Sequence, residues 1–80
     1  MKKYILNKDG DEILEVQGSI VLVPPYKGNQ SFIGMEYFVG KKIIRKILGE
    51  YDEETAKDVF RAISFFLDEE NDYVFEMPNF

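Results

Sequence analysis

The sequence predicts an α+β fold: a small antiparallel sheet of five or six strands, one amphipathic helix (residues 52–68) packed on one face, and a final C-terminal strand. Three observations carry this. Short apolar or alternating runs recur at close spacing with glycine-bearing turns between them, as in hairpins. One later segment, opened by three acids, repeats its apolar residues with helical period. An aromatic stretch then leads to Pro78.

Residues 3–6 suit a first strand, and Lys8-Asp9-Gly10-Asp11 carries the Asp-Gly signal of a tight hairpin turn. Residues 12–16 alternate partly through Ile13, Leu14 and Val16 as a second strand, and Gln17-Gly18-Ser19 is the next turn. Residues 20–23 form a continuous apolar run that must stop, or lie on an edge, at Pro24-Pro25, because proline cannot donate to a ladder. Residues 26–31 form the longest loop. Residues 32–39 are aromatic and β-branched, a strand in which Gly34 marks a bulge. After the turn at Gly40-Lys41-Lys42, residues 43–48 are ambiguous. Ile43, Ile44, Ile47 and Leu48 fit one helical face, but β-branching and the closing Gly49 favour a strand.

The helix has the clearest signals. Asp52 is placed to accept hydrogen bonds from free N–H groups of the first turn, and Glu53 and Glu54 complement the positive end of the dipole. Tyr51 and Ala56 occupy the positions of a hydrophobic staple. Ala56, Val59, Phe60, Ile63, Phe66 and Leu67 make one apolar stripe. Residues 68–72 end the helix, and residues 73–77 form the last strand.

With no repeat, linker or low-complexity segment, the 80 residues are read as a single domain, 1–80. A chain this short buries only roughly 60 to 65% of its unfolded surface, which argues against a deep substrate cavity. At 45% hydrophobic residues it has core material enough to fold throughout. The absence of cysteine excludes disulfide and thiol chemistry and fits a reducing compartment. The apolar start breaks at Asn7 before reaching signal-peptide length, and no run is long enough to span a membrane, so a cytoplasmic location is expected. A net charge of −5 argues against general nucleic-acid binding. The charge is uneven: residues 1–51 hold eight Lys/Arg against six Asp/Glu, whereas residues 52–80 hold two against nine, so acidity belongs to the C-terminal third.

The residues Leu48, Gly49, Tyr51, Glu53, Glu54, Ala56, Lys57, Val59, Tyr73, Met77 and Pro78 form a Leu-Gly-x-Tyr joint, an acid-capped Ala-Lys-x-Val helix and an aromatic strand ending in Met-Pro. In this the chain resembles a group of small uncharacterised proteins from low-GC Gram-positive bacteria and their phages and mobile elements. It departs from them in the loop at residues 24–31 and in the extended segment 40–48. The resemblance implies the fold and a phage-related setting, and it implies no activity.

Motifs for chemistry are weak. "NKDGDE" places Gly10 where a calcium loop has its glycine, but Ile5 and Val16 then fall at ligand positions and cannot coordinate a cation. "VPPYK" lacks the PxxP spacing of a proline-rich recognition peptide. Histidine is absent as well as cysteine, Ser19, Ser31 and Ser64 sit in no nucleophile motif, and no phosphate loop, dinucleotide fingerprint or metal-ligand spacing occurs. No cofactor is expected, and an enzyme is not.

Two features exceed what folding alone explains. Lys41, Lys42, Arg45 and Lys46 crowd four cations into six positions, a candidate site for an anionic ligand. Phe65 lies opposite the apolar stripe and, with Phe66 and Arg61, is a candidate subunit contact, supported by the nearby aromatics Tyr73, Phe75 and Phe80. The expected function is non-enzymatic binding, by a phage or mobile-element accessory protein that inhibits a host protein through contact and forms a homo-oligomer. The alternatives are an oligomer that sequesters a small phosphate-bearing, nucleotide-like ligand, and a structural subunit.

Overall fold

A computed structural model describes residues 2–25 and 28–79. Tyr26, Lys27 and Phe80, which the sequence assigns to the long loop and the aromatic tail, lie outside the described residues. The elements run β1 (Tyr4–Leu6), β2 (Ile13–Glu15), β3 (Ser19–Val23), β4 (Gln30–Val39), β5 (Lys42–Asp52), α1 (Glu53–Asp68) and β6 (Val74–Glu76). Class, element order, helix and final strand are those the sequence predicts.

The strands divide into two sheets rather than one, ordered β2-β1-β6 and β3-β4-β5. All pairs are antiparallel except β1 with β6, which run parallel with Ile5 opposite Phe75. A parallel pair needs a long crossover, and the rest of the chain provides it. One cluster joins the layers: Ile5 and Met77 from the small sheet, Ile33, Met35, Leu48 and Tyr51 from the large one, and Ala56, Val59, Ile63 and Phe66 from the helix.

Local chemistry sets the turns. Asn7 Oδ1 accepts from the N–H groups of Asp11 (3.1 Å) and Glu12 (3.2 Å), tying off the β1–β2 loop. Gly40 has φ +61° while no non-glycine residue among those described has positive φ, so the two-residue β4–β5 turn has the II′ pattern that matches strand twist. Gly18 combines φ +66° with a close approach, since an added Cβ would sit 2.0 Å from the Glu36 carbonyl oxygen.

Residues 43–48 are strand, and the strand runs on through Tyr51. Its helical look arises because both of its faces are apolar. The register passes from Gly34↔Ile47 to Ile33↔Gly49, so Leu48 is an extra residue and the bulge predicted at Gly34 has its unpaired residue on β5. A bulge resets the alternation of faces. Leu48 and Tyr51, three apart and so on opposite sides of a regular strand, are thereby both buried. The freed Leu48 carbonyl accepts from Lys8 N–H at 2.8 Å, which links the two sheets.

Asp52 caps α1, its Oδ1 accepting from Thr55 N–H at 2.8 Å. The buried helix face is narrower than the predicted stripe: Phe60 is half-buried and Leu67 is exposed. At about 100° per residue both fall on the same margin of the stripe, so the helix leans away from that side. The last turn holds no basic residue of its own. Lys3 of the opposite sheet takes that role, donating to the carbonyls of Phe66 and Glu69 with its ammonium 4.5 Å from the Phe66 ring centroid.

Candidate functional site

Cross-strand register fixes which residues share each face of β3-β4-β5. Ile20, Leu22, Ile33, Met35, Tyr37 and Ile44 lie on the side that α1 covers. The other side carries Val21, Val23, Phe32, Phe38, Ile43 and Ile47. Phe38 is 72% exposed, its register partner Ile43 63% and Ile47 49%. Val21, Val23 and Phe32 are half-buried.

An antiparallel sheet with one wet face ordinarily alternates apolar-in and polar-out. Here "SIVLV" and "KIIRKIL" are apolar on both faces, the pattern of strands covered twice, and the fold covers them once. Charge enters the outer face at Glu50, beside Phe32 at one end, and at a pair in its middle, where Arg45 Nε donates to Glu36 Oε2 at 2.7 Å across directly paired positions. The ion pair is internally neutral, so the face is an apolar plate with a balanced charge at its middle.

The predicted site residues are dispersed by the strand. Lys41 sits in the β4–β5 turn, Lys42 and Lys46 share the register face of Val39 and Met35, and Arg45 lies on the opposite face, held by Glu36. A six-residue span that would gather four cations on a helix separates them on a strand. Of the predicted helix contact, Phe65 is 72% exposed and Arg61 lies 3.4 Å from Asp58 in a surface ion pair. Phe66 is not available to a partner: it is 6% exposed and packs against Phe75 with ring centroids 5.5 Å apart. Its place in the apolar stripe, and not its neighbour, decided this.

A cleft of about 370 Å³ opens between the β1–β2 loop and β5, lined by Asn7, Lys8, Asp9, Gln30 and Glu50 among others. Lys8 is already committed there, its ammonium donating to the Glu50 carbonyl at 2.7 Å and standing 4.4 Å from the Tyr51 ring centroid. Tyr51 donates its hydroxyl proton to the Pro78 carbonyl at 2.6 Å, and burial pushes its pKa up to about 12. Asp52 next to it is held below the ordinary carboxylate range, chiefly by the Thr55 backbone N–H. Both groups have structural occupations. Among the described residues no helix is long and apolar enough to cross a membrane, and no group of three or more acids forms a metal cluster.

Comparison with known proteins finds no family model, no curated protein and no solved structure that matches this chain. The outer sheet face was missed in reading the sequence for chemistry. Its signal was present in β3, an uninterrupted apolar run, and in β5, whose isoleucines fall on both sides of the strand.

Proposed function

We propose that this protein acts by contact, as a small binding protein whose working surface is the outer face of β3-β4-β5. The observation that carries the reading is the apolar plate led by Phe38 and Ile43, exposed on the side of β3-β4-β5 that α1 leaves uncovered. Contiguous exposed apolar surface of this kind marks an interaction site, whereas single exposed residues do not. The reading suits an accessory protein that works by docking on another protein, the setting implied by the resemblance to phage-associated proteins. The dispersal of Lys41, Lys42, Arg45 and Lys46 over two faces and a turn gives no comparable support to capture of a phosphate-bearing ligand.

A photoreactive residue at Ile43, compared with one at Ala62 on the exposed side of the helix, tests the surface in cells that make the protein. Discrete cross-linked species from position 43 and none from position 62 are expected. No discrete adduct from position 43, or the same adducts from both, overturns the proposal.

A further inference from the structure

We infer that the free edge of β5 takes up a strand from another protein, an extended acidic segment with carboxylates four positions apart on one side and apolar residues on the other. This goes beyond the contact reading above, which concerns the face of the sheet and not its edge.

The backbone calls for a strand. β5 ends its sheet, and among the described residues no backbone group bonds to its outer edge before Leu48, whose carbonyl accepts from Lys8 N–H. Residues 42–47 are therefore an open run of strand between the β4–β5 turn and that contact, roughly 20 Å long at about 3.4 Å per residue. The remaining edges are blunted: β2 and β6 are three residues each, and β3 runs into Pro24-Pro25. Short strands and prolines discourage strand addition, and residues 42–47 have neither.

The side chains select its chemistry. By register Lys42, Ile44 and Lys46 lie on one side of the strand, and Ile43, Arg45 and Ile47 on the other. Among the described residues, Arg45 has an ion pair with Glu36, whereas Lys42 and Lys46 have none and face Val39 and Met35 across β4. A strand laid along the edge sets a side chain directly beside each lysine, where opposite charge stabilises and like charge destabilises. On its other side it lies beside Ile43 and Ile47, 63% and 49% exposed, and widens the apolar plate. The alternation that spreads these cations too far for a compact phosphate thus suits carboxylates on an extended chain. Lysine also guards sheet edges, and here it guards against the chain's own copy. Antiparallel self-pairing centred on Ile44 would set Lys42 against Lys46 twice.

Titration of the isotope-labelled full chain with the end-capped peptide Thr-Val-Glu-Thr-Thr-Val-Glu-Thr tests this. Paired antiparallel, as the strands of the large sheet are, its glutamates reach Lys42 and Lys46 and its valines Ile43 and Ile47. Saturable amide shifts at residues 42–47, and none at residues 19–23, are expected below about 1 mM peptide. Lysine in place of both glutamates should weaken binding about tenfold or more. The variant Lys42→Glu/Lys46→Glu should reverse that preference while keeping the helical circular dichroism of the wild type. N-methylation of alternate peptide amides separates hydrogen bonding from charge: the phase that faces β5 should abolish binding, and the other phase should not. The absence of a saturable shift overturns the proposal and leaves the lysines as an edge guard; a cross-link from position 43 would still support the face. Shifts at residues 19–23 in place of 42–47 overturn the edge. Equal binding of the glutamate and lysine peptides to the wild type overturns the acidic partner. Methylated peptides that behave alike in both phases overturn the added strand.

Discussion

Single side chains at the strand–helix joint carry separable tasks. Asp52 lies outside any cluster of reacting groups and accepts from the first turn of α1. Asp52→Ala should lower the thermal midpoint, and Asp52→Asn, which keeps an acceptor, should recover most of the loss. The carboxyl ionises more readily in the folded chain than in the unfolded one, so its contribution is present above the ordinary carboxylate range and fades as pH falls through the depressed value. The Asn variant should lack that part of the acid transition. Tyr51 gives the opposite slope. With its folded pKa at about 12 against an ordinary 10, the unfolded chain ionises first, and stability present below pH 10 is lost as pH rises from there toward 12. Tyr51→Phe should cost about 1 kcal/mol at neutral pH through the missing hydrogen bond to Pro78, and lose less than the wild type between pH 10 and 12. Urea melts across both ranges check these; an unchanged alkaline slope in Tyr51→Phe would contradict the assignment.

At the scale of elements, the helix is the part most legible in sequence, because its cap, acids and period are local properties that act within a few residues. Its lean is not legible. Ile63 is 1% exposed, and Phe60 is only half-buried. Ile63→Ala should therefore cost about 2 to 5 kcal/mol as a closed cavity, and Phe60→Ala clearly less despite the larger side chain removed. Equal losses in denaturant melts would place the helix axis differently. Strand β5 shows the converse. Its apolar content is plain, but the extra residue at Leu48, which puts both Leu48 and Tyr51 in the core, depends on the register that β4 imposes. The four cations of the candidate anion site are spread apart for the same reason: spacing along the chain becomes spacing in space only once the element is known, and residues 43–48 are compatible with both.

Across the whole molecule, one core is assembled from two sheets, and its last contributions arrive at the C-terminal end. Strand β6 supplies Phe75 against Phe66, and Met77 after it is 4% exposed within the core. Removing residues 74–80 should abolish the cooperative thermal transition, because Ile5 and Phe66 lose their cover and a domain of this size has little stability in reserve. A calorimetric transition retained within a few degrees of the wild type would show the small sheet to be dispensable.

Composition, turn residues, cap and periodicity determined the α+β class, the order of elements, the helix and the turns, since each depends on neighbours along the chain. Tertiary structure decided the rest. The division into two sheets and the parallel β1–β6 pair join residues about seventy positions apart. Lys3 reaches the helix end from another sheet, and no local pattern announces it. The sequence marks two strands, β3 and β5, as apolar on both sides, but only the position of α1 decides which side stays uncovered. That choice makes Phe38 and Ile43 surface rather than core, because one helix can shield one face of a sheet and not two.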